Sequence, residues 1–418
     1  MSSHSAGAVL NQIPSPNRTL FSSAHLRVGT QEVNSMGEIS ECKASPGPAN
    51  NSNATPRVQP KTLLQEYLLE HLPIYRKLRE LQRLGWQSEA GDTHFQNQRQ
   101  RADHADAKAK TGFFRLMRTI GLELDDATLA LTLPSGGNSP RPAILDLCMA
   151  PGGFSSAALY RNPAALLRGI SLPPSQGGHE MLLNKYWSDR DPSAQIYVSF
   201  RDITLLAEEM GTPASSVPAS HPDAASFSSD RPFMDQEFDL VFCDGQVLRT
   251  HERLEYRQKT EATRLLTTQL VLALQRIRPG GTIVILLHKA DAWPSVQLMH
   301  TFAAFADGVE LFKPRAGHRV RSSFYLVAKG VRPWREAAVE AVRRWKVQWS
   351  VATFGVQGGR GDERLSGEEE LELLEGGEEE EVRAVLRKFG PALVRMVEPV
   401  FAIQAEALRN APWMKNMV

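Results

Sequence analysis

The spacing of apolar residues changes along this chain, and each change marks a boundary. Residues 1 to about 60 are rich in Ser, Pro, Asn and Gly with few large apolar groups. They bury too little surface to offset chain entropy, so a disordered tail is expected. From Thr62 onward Leu63, Leu64, Tyr67, Leu68, Leu72, Tyr75, Leu78, Leu81 and Leu84 recur at helical spacing, broken at Pro73. They make residues 61–110 a helical lead-in whose last part, from His94 to Lys110, is polar. Phe113 to Ile120 starts another amphipathic helix. The period then shortens: Ile144–Leu147, Ala164–Leu172, Ile196–Phe200, Phe238–Asp244 and Thr282–Leu287 are short apolar runs with turn residues or helical stretches between them. The longest helical stretch runs from Arg253 to Arg278 and is closed by Pro279-Gly280-Gly281. Such alternation predicts βαβ units around a mostly parallel sheet, an α/β domain over 111–330. The segment from Phe312 to Lys329 reads as an antiparallel end hairpin, with Phe324–Ala328 as its strand and a basic loop before it. Residues 212–232, rich in Ser, Ala and Pro, read as a flexible insertion. The remainder, 331–418, is expected to be helical, with an acidic block from Glu368 to Glu381 and an amphipathic helix from Val382 to Lys388.

Composition narrows the class. At 418 residues the chain can bury a full core, and its net charge of +1 gives no global attraction for nucleic acid, so any such binding must use a local patch. Cys42, Cys148 and Cys243 do not form a disulfide framework, which predicts a reducing, intracellular compartment, cytoplasm or nucleus. The first thirty residues, acid-poor and serine-rich with Arg18 and Arg27, fit a plain tail or a mitochondrial transit peptide. No run reaches the roughly 18 apolar residues of a membrane helix. No metal-ligand constellation is read, and there is no internal repeat.

The chemistry concentrates at Ile144-Leu145-Asp146-Leu147-Cys148-Met149-Ala150-Pro151-Gly152-Gly153-Phe154. A buried strand ends in a Pro-Gly-Gly turn, and Ser155-Ser156-Ala157-Ala158 opens a helix. The glycines bare the backbone N–H groups, and the helix N-terminus adds positive potential, so the loop suits a polar ligand. No Gly-Lys-Ser/Thr follows it, and the three spaced glycines of a dinucleotide fingerprint are missing. Asp146 lies inside the strand, where a carboxylate is costly unless a cation or hydrogen-bond donor sits beside it; the ammonium of a methionine-type ligand would serve.

This stretch resembles the S-adenosylmethionine (SAM) loop of FtsJ-like RNA 2′-O-methyltransferases, whose motif reads Asp-Leu-x-x-Ala-Pro-Gly-Gly-Phe/Trp. The resemblance covers roughly residues 110–330 and implies a Rossmann-like methyltransferase sheet, SAM as cofactor, and RNA ribose as substrate. It implies that Asp146, Ala150, Pro151, Gly152, Gly153, Phe154, Asp202 and Asp244 contact the cofactor. Asp202 would accept from the adenine amine, or else cap the turn at Thr204. Met149 and Phe154 would pack on the cofactor or in the core.

In the family a Lys-Asp-Lys-Glu tetrad surrounds the target hydroxyl, and a lysine kept neutral takes its proton. Asp244 fits the tetrad aspartate. The central lysine, however, falls at Leu286, the glutamate at Ser323, and the first lysine at Arg115, a side chain that stays protonated. Lys289 is the expected substitute base, reaching the site if its strand ends in a bulge, with Lys110 as another candidate. Phosphate contacts are expected from Lys313, Arg315, Arg319 and Arg321.

The expectation is therefore a SAM-dependent methyltransferase acting on RNA ribose, with Asp244 and Lys289 at the reacting centre. Two rivals remain open: a SAM-fold binding or regulatory module whose chemistry is lost, and a methyltransferase for a small molecule or protein.

Overall fold

The computed structural model describes residues 59–103, 106–134, 141–183, 187–251, 253–355 and 379–414. The N-terminal tail, the start of the acidic block and Cys42 lie outside them.

Two short helices, α1 (Pro60–His71) and α2 (Pro73–Trp86), each begin at a proline. Helix α3 (Glu89–Asp103) covers much of the polar stretch, and α4 (Ala107–Thr128) begins at Asp106, whose carboxylate accepts from the Ala109 amide at 2.7 Å. The sheet follows: β1 (Ala143–Leu147), α5 (Gly153–Arg161), β2 (Leu166–Ser171), β3 (Trp187–Ser188), β4 (Ile196–Phe200), β5 (Phe238–Cys243), α6 (Glu261–Arg276), β6 (Ile277–His288), α7 (Trp293–Ala303), β7 (Gly308–Phe312) and β8 (Ser323–Lys329). Helices α8 (Glu336–Phe354) and α9 (Glu379–Arg409) complete the described chain. No helix among the described residues is long and apolar enough to cross a membrane.

The strand order is β3-β4-β2-β1-β5-β6-β8-β7, parallel from β3 through β6, with β8 antiparallel to both β6 and β7. The α/β class and the antiparallel end hairpin are as expected. The hairpin's first strand ends at Phe312, where a basic loop interrupts its pattern. Sequence order reverses between β1 and β5, so the crevice of this open sheet lies over their carboxyl ends.

Side chains alternate across each strand and divide the core in two. Leu145, Leu147, Val241, Cys243, Ile283, Ile285, Leu287, Phe324 and Leu326 pack with α6, α7, α8 and the α1–α2–α9 bundle. Ile144, Leu240, Phe242, Val284, Leu286, Tyr325 and Val327 pack with α4 and α5. The expected helix from Arg253 starts only at Glu261, because the stretch ahead of it forms a single tight turn at Glu255–Arg257 that carries Arg257 into a buried ion cluster. Within the insertion Asp223 is buried and accepts from Tyr256 Oη and, at 3.4 Å, from Arg257.

Helix α5 starts against α4 with no room for a side chain at its first residue. A Cβ on Gly153 would lie 2.7 Å from the Phe114 carbonyl and 2.9 Å from the Arg118 nitrogen, both backbone atoms of α4. Gly153→Ala is therefore expected to lower the unfolding free energy by about 1–3 kcal/mol, the usual cost of overpacking; an unchanged urea midpoint would contradict this.

Candidate active site

Strand parity assembles the site. Ile144 and Asp146 share a face, as do Phe242 and Asp244, Leu286 and His288, and Ser323 and Tyr325. The register pairs Asp146 with Phe242, Phe242 with Val284, Leu286 with Tyr325, and His288 with Ser323. Across the carboxyl edge, on the α4–α5 side, this makes a row of Asp146, Asp244, Leu286 with His288, and Tyr325 with Ser323. Tetrad positions that looked scattered in sequence are thus neighbours, and two of them hold a leucine and a serine.

Asp146 is almost fully buried. One carboxylate oxygen accepts from Ser155 Oγ of α5, and the other has no partner among the described residues. Burial raises its carboxyl to about 7 despite Ser155. Burial and the neighbouring Asp146 drive Asp244 well above the usual carboxylate range. Its family cation position is Leu286, 6% exposed, and the fully buried Tyr325 hydroxyl opposite has no partner either. Two raised acids at the ends of adjacent strands, one of them short of a hydrogen-bond partner, form a site with no paired cation among the described residues.

The glycine loop closes against these acids. Cys148 turns the chain at φ 70° and Gly152 at φ 94°. Ala150 N–H donates to Ser171 Oγ at 3.2 Å, and Leu182 N–H to the Pro151 carbonyl at 3.0 Å. A Cβ on Gly152 would sit 3.2–3.3 Å from Leu183 and Met181. Burial raises the Cys148 thiol, and Asp244, Asp146 and Asp202 each push it further, so all three lie within electrostatic reach of it. Met149 and Phe154 are core residues beneath the loop: Phe154 packs on Phe242 and Tyr325 at ring distances of 5.5 and 5.4 Å.

Asp202 is differently placed. It caps the turn Ile203–Leu205 through Thr204, with the amide at 3.0 Å and the hydroxyl at 2.7 Å, and takes Arg257 Nη2 at 2.8 Å. Burial raises its pKa, but Arg257, Thr204 and His251 outweigh burial and hold the carboxyl below its ordinary range. Arg257 also bonds Glu261 at 2.7 Å. Asp202, His251 and Glu261 come close enough to resemble a metal site, but the cation among them is this guanidinium. The loop after β2 and the loop after β5 meet where Thr250 Oγ1 donates to the Gly177 carbonyl at 2.8 Å, arching over the end of β1 between them.

The candidate bases are dispersed. Lys110 pairs with Glu180 at 3.3 Å. Lys289 follows the last residue of β6 in left-handed backbone at φ 51°, and its side chain is exposed. Arg115 is exposed on α4. The basic loop needs a correction: Lys313, expected to grip phosphate, is buried, its ammonium donating to the carbonyls of Arg321 and, at 2.6 Å, of Ser323. Burial and Arg321 lower it to about 7. Arg315 and Arg319 are exposed, and Arg321 donates to Gln98 of α3 at 2.7 Å.

Sequence reasoning missed several residues. Gln269 of α6 holds Gly245 from both sides, accepting from its amide at 2.9 Å and donating to its carbonyl at 3.2 Å, and so fixes Asp244. His288 reaches Gln246 Oε1 at 2.9 Å across the β5–β6 exits. Ser155 was legible as a helix opener but not as Asp146's partner. A contact over 24 or 42 residues of separation leaves no mark in local pattern.

A model of the FtsJ-like methyltransferase family matches residues 123–331, half of the chain. Similar solved structures include a ribosomal RNA methyltransferase from Plasmodium falciparum, 17% identical, spanning 51% of this chain and 96% of that one at a TM-score of 0.31. Human methyltransferase-like protein 13, in complex with SAH, is 12% identical over 61% of this chain and 95% of its own, at 0.29. The N-methyltransferase NodS from Bradyrhizobium japonicum is 17% identical over 51% and 98%, at 0.30. No curated protein matches the sequence.

The raised acids set a pH dependence of stability. Their folded-state pKa values lie above the unfolded ones, so the native state binds more protons and loses stability as pH climbs from about 4 to about 7. Asp146→Asn is expected to flatten that slope and to be more stable than the wild type at pH 8. Urea unfolding at pH 5, 6 and 8 measures it, and equal slopes for the two proteins would refute the assignment.

Proposed function

Because this chain belongs to the FtsJ-like methyltransferase family, a family of SAM-dependent enzymes, we propose that it binds SAM over β1 and methylates a ribose 2′-hydroxyl of RNA. The observation that carries the cofactor assignment is the unpartnered, buried oxygen of Asp146 beneath a glycine loop. A buried carboxylate short of one bond and of any cation fits the ammonium of an amino-acid ligand. Bare backbone at Gly152 and Gly153, and the N-terminus of α5, suit its carboxylate. Asp202 would face the adenine end, oriented in advance by Arg257 and Thr204. SAM, when bound, supplies an electrophilic methyl group. Asp244, placed by Gln269, would orient the acceptor hydroxyl beside it.

RNA as the acceptor draws on the family resemblance and on one local feature. Arg315 and Arg319 are exposed on the loop that leads into β8, beside the acid row, where a backbone phosphate would lie if a ribose reached Asp244. Binding without chemistry is the second reading, favoured by Leu286 and Ser323 at tetrad positions.

Labelled SAM incubated with a total-RNA pool, followed by digestion to nucleosides, separates the two. Label in 2′-O-methyl nucleosides is expected, reduced about 10²–10⁴-fold by Asp244→Ala; label on bases or protein, or none with SAM still bound, would refute the ribose reading. Asp146→Asn should weaken SAM binding by about 1.5–3 kcal/mol in calorimetry, the range for a hydrogen bond to a charged group. Replacing Arg315 and Arg319 with alanine should weaken RNA of any sequence and reduce the salt slope of log K by about 1 per arginine. An unchanged slope would place the RNA elsewhere.

A further inference from the structure

The residue that stands in for the missing lysine is named by parity, not by charge. On β6 the family's central lysine corresponds to Leu286, and the next residue on the same face is His288, the strand's last. Asp244 follows Phe242 on that face of β5, and Gln246, two residues beyond Asp244, accepts a hydrogen bond from His288 Nε2 at 2.9 Å. The ring is thereby tied to the loop that carries Asp244. Lys289 has the opposite parity, leaves the strand in left-handed backbone, and is exposed.

We propose, resting on the ribose reading above, that His288 is the catalytic residue that takes the proton from the acceptor hydroxyl. In the tautomer that donates Nε2–H to the Gln246 amide oxygen, Nδ1 holds the lone pair. In the step, the hydroxyl oxygen forms a bond to the methyl carbon as the carbon–sulfur bond breaks. The electron pair of that bond stays on sulfur, and the O–H proton passes to Nδ1, to be lost later to water. The surroundings keep the ring neutral. His288 is largely buried, and Lys313 and Arg321 of the loop before β8, together with adjoining Lys289, all disfavour a second proton, lowering its pKa to about 4. Across the strand pair stands Ser323, whose hydroxyl is bonded to His318 at 3.2 Å, and burial and Arg321 lower His318 to about 3. Beside Leu286 and Ser323, the positions of the family's lysine and glutamate, this chain places two neutral imidazoles, His288 and His318. An RNA phosphate arriving beside Arg321 and Lys289 would offset part of that positive field and raise the ring's basicity at the moment it is needed.

The test compares His288→Ala, His288→Asn and Lys289→Ala by turnover, calorimetry with SAM, and nitrogen NMR of the histidine rings. Both His288 variants should lose about 10²–10⁴-fold in kcat while keeping the wild-type SAM affinity within about twofold. That loss should exceed the one at Lys289 by at least tenfold. The wild-type kcat should fall as pH drops and protonates the ring, and this acid limb should vanish from the residual activity of His288→Asn. In the SAM-loaded wild type at pH 7.5, His288 should show one protonated nitrogen, Nε2, and one bare one. Full activity in His288→Asn, which retains a side-chain amide for Gln246 but no base, would overturn the assignment, as would a doubly protonated ring whatever the turnover. A wild type that leaves no 2′-O-methyl nucleoside defeats the ribose reading first and this inference with it, whereas 2′-O-methylation that survives at His288→Asn defeats this inference alone.

Discussion

Two carboxylates share a buried edge with no cation between them, and the rest of the site is arranged around that shortage. Burial raises both, Asp146 raises Asp244 further, and the position that would neutralise them in the resembled family is a leucine. Such an arrangement costs stability unless a positive ligand completes it. A site whose charge is balanced only when occupied binds its ligand selectively and gives up some stability when empty. The third aspartate is the contrast. Asp202 has its cation already, Arg257 on one oxygen, and Thr204 donates to the other. The sheet edge thus holds one finished electrostatic unit and one unfinished one.

Helix α6 ties these units together. Its Gln269 clamps Gly245 and so sets Asp244, while Glu261 at its first turn holds Arg257 and through it Asp202 and Asp223. The insertion between β4 and β5 is joined to the same guanidinium, so Asp202, the insertion and α6 are coupled through one buried cation. Removing one partner from such a cluster leaves uncompensated charge, which is why its members act together.

Helices α2, α3 and α9 touch the other side. Tyr75 of α2 donates to Asp291 at 2.9 Å, two residues past Lys289, and Gln98 of α3 accepts from Arg321. In α9, Phe401 stacks near Tyr75 at 5.2 Å and Gln404 lies against the Val320 carbonyl. These contacts fall on the loops after β6 and before β8, where an acceptor would approach, and not on the glycine loop. Helix α8 instead reaches the Asp202 turn, where Trp349 Nε1 donates to the Thr204 carbonyl at 3.1 Å.

Much of the fold was legible because it is local. Short apolar runs marked β1, β2, β4, β5, β6 and β8, Pro73 marked the break between α1 and α2, and the Pro-Gly-Gly turn after Asp146 marked the loop that opens α5. Helix α3 falls within the helical lead-in expected over 61–110 although its polar sequence carries no apolar stripe, whereas the start of α6 was misjudged because a buried ion pair, not periodicity, sets the path around Arg257. The acids at strand ends could be named in advance, since motif and turn chemistry lie within a few residues of each other. Their lack of a cation could not be seen, nor could the burial of Lys313, the clamp of Gln269, or the pairing of His288 with Gln246. Sequence determined which residues stand at the edge of each strand; strand order and register, which depend on contacts far apart in the chain, decided which of them face one another and therefore what charge each one feels.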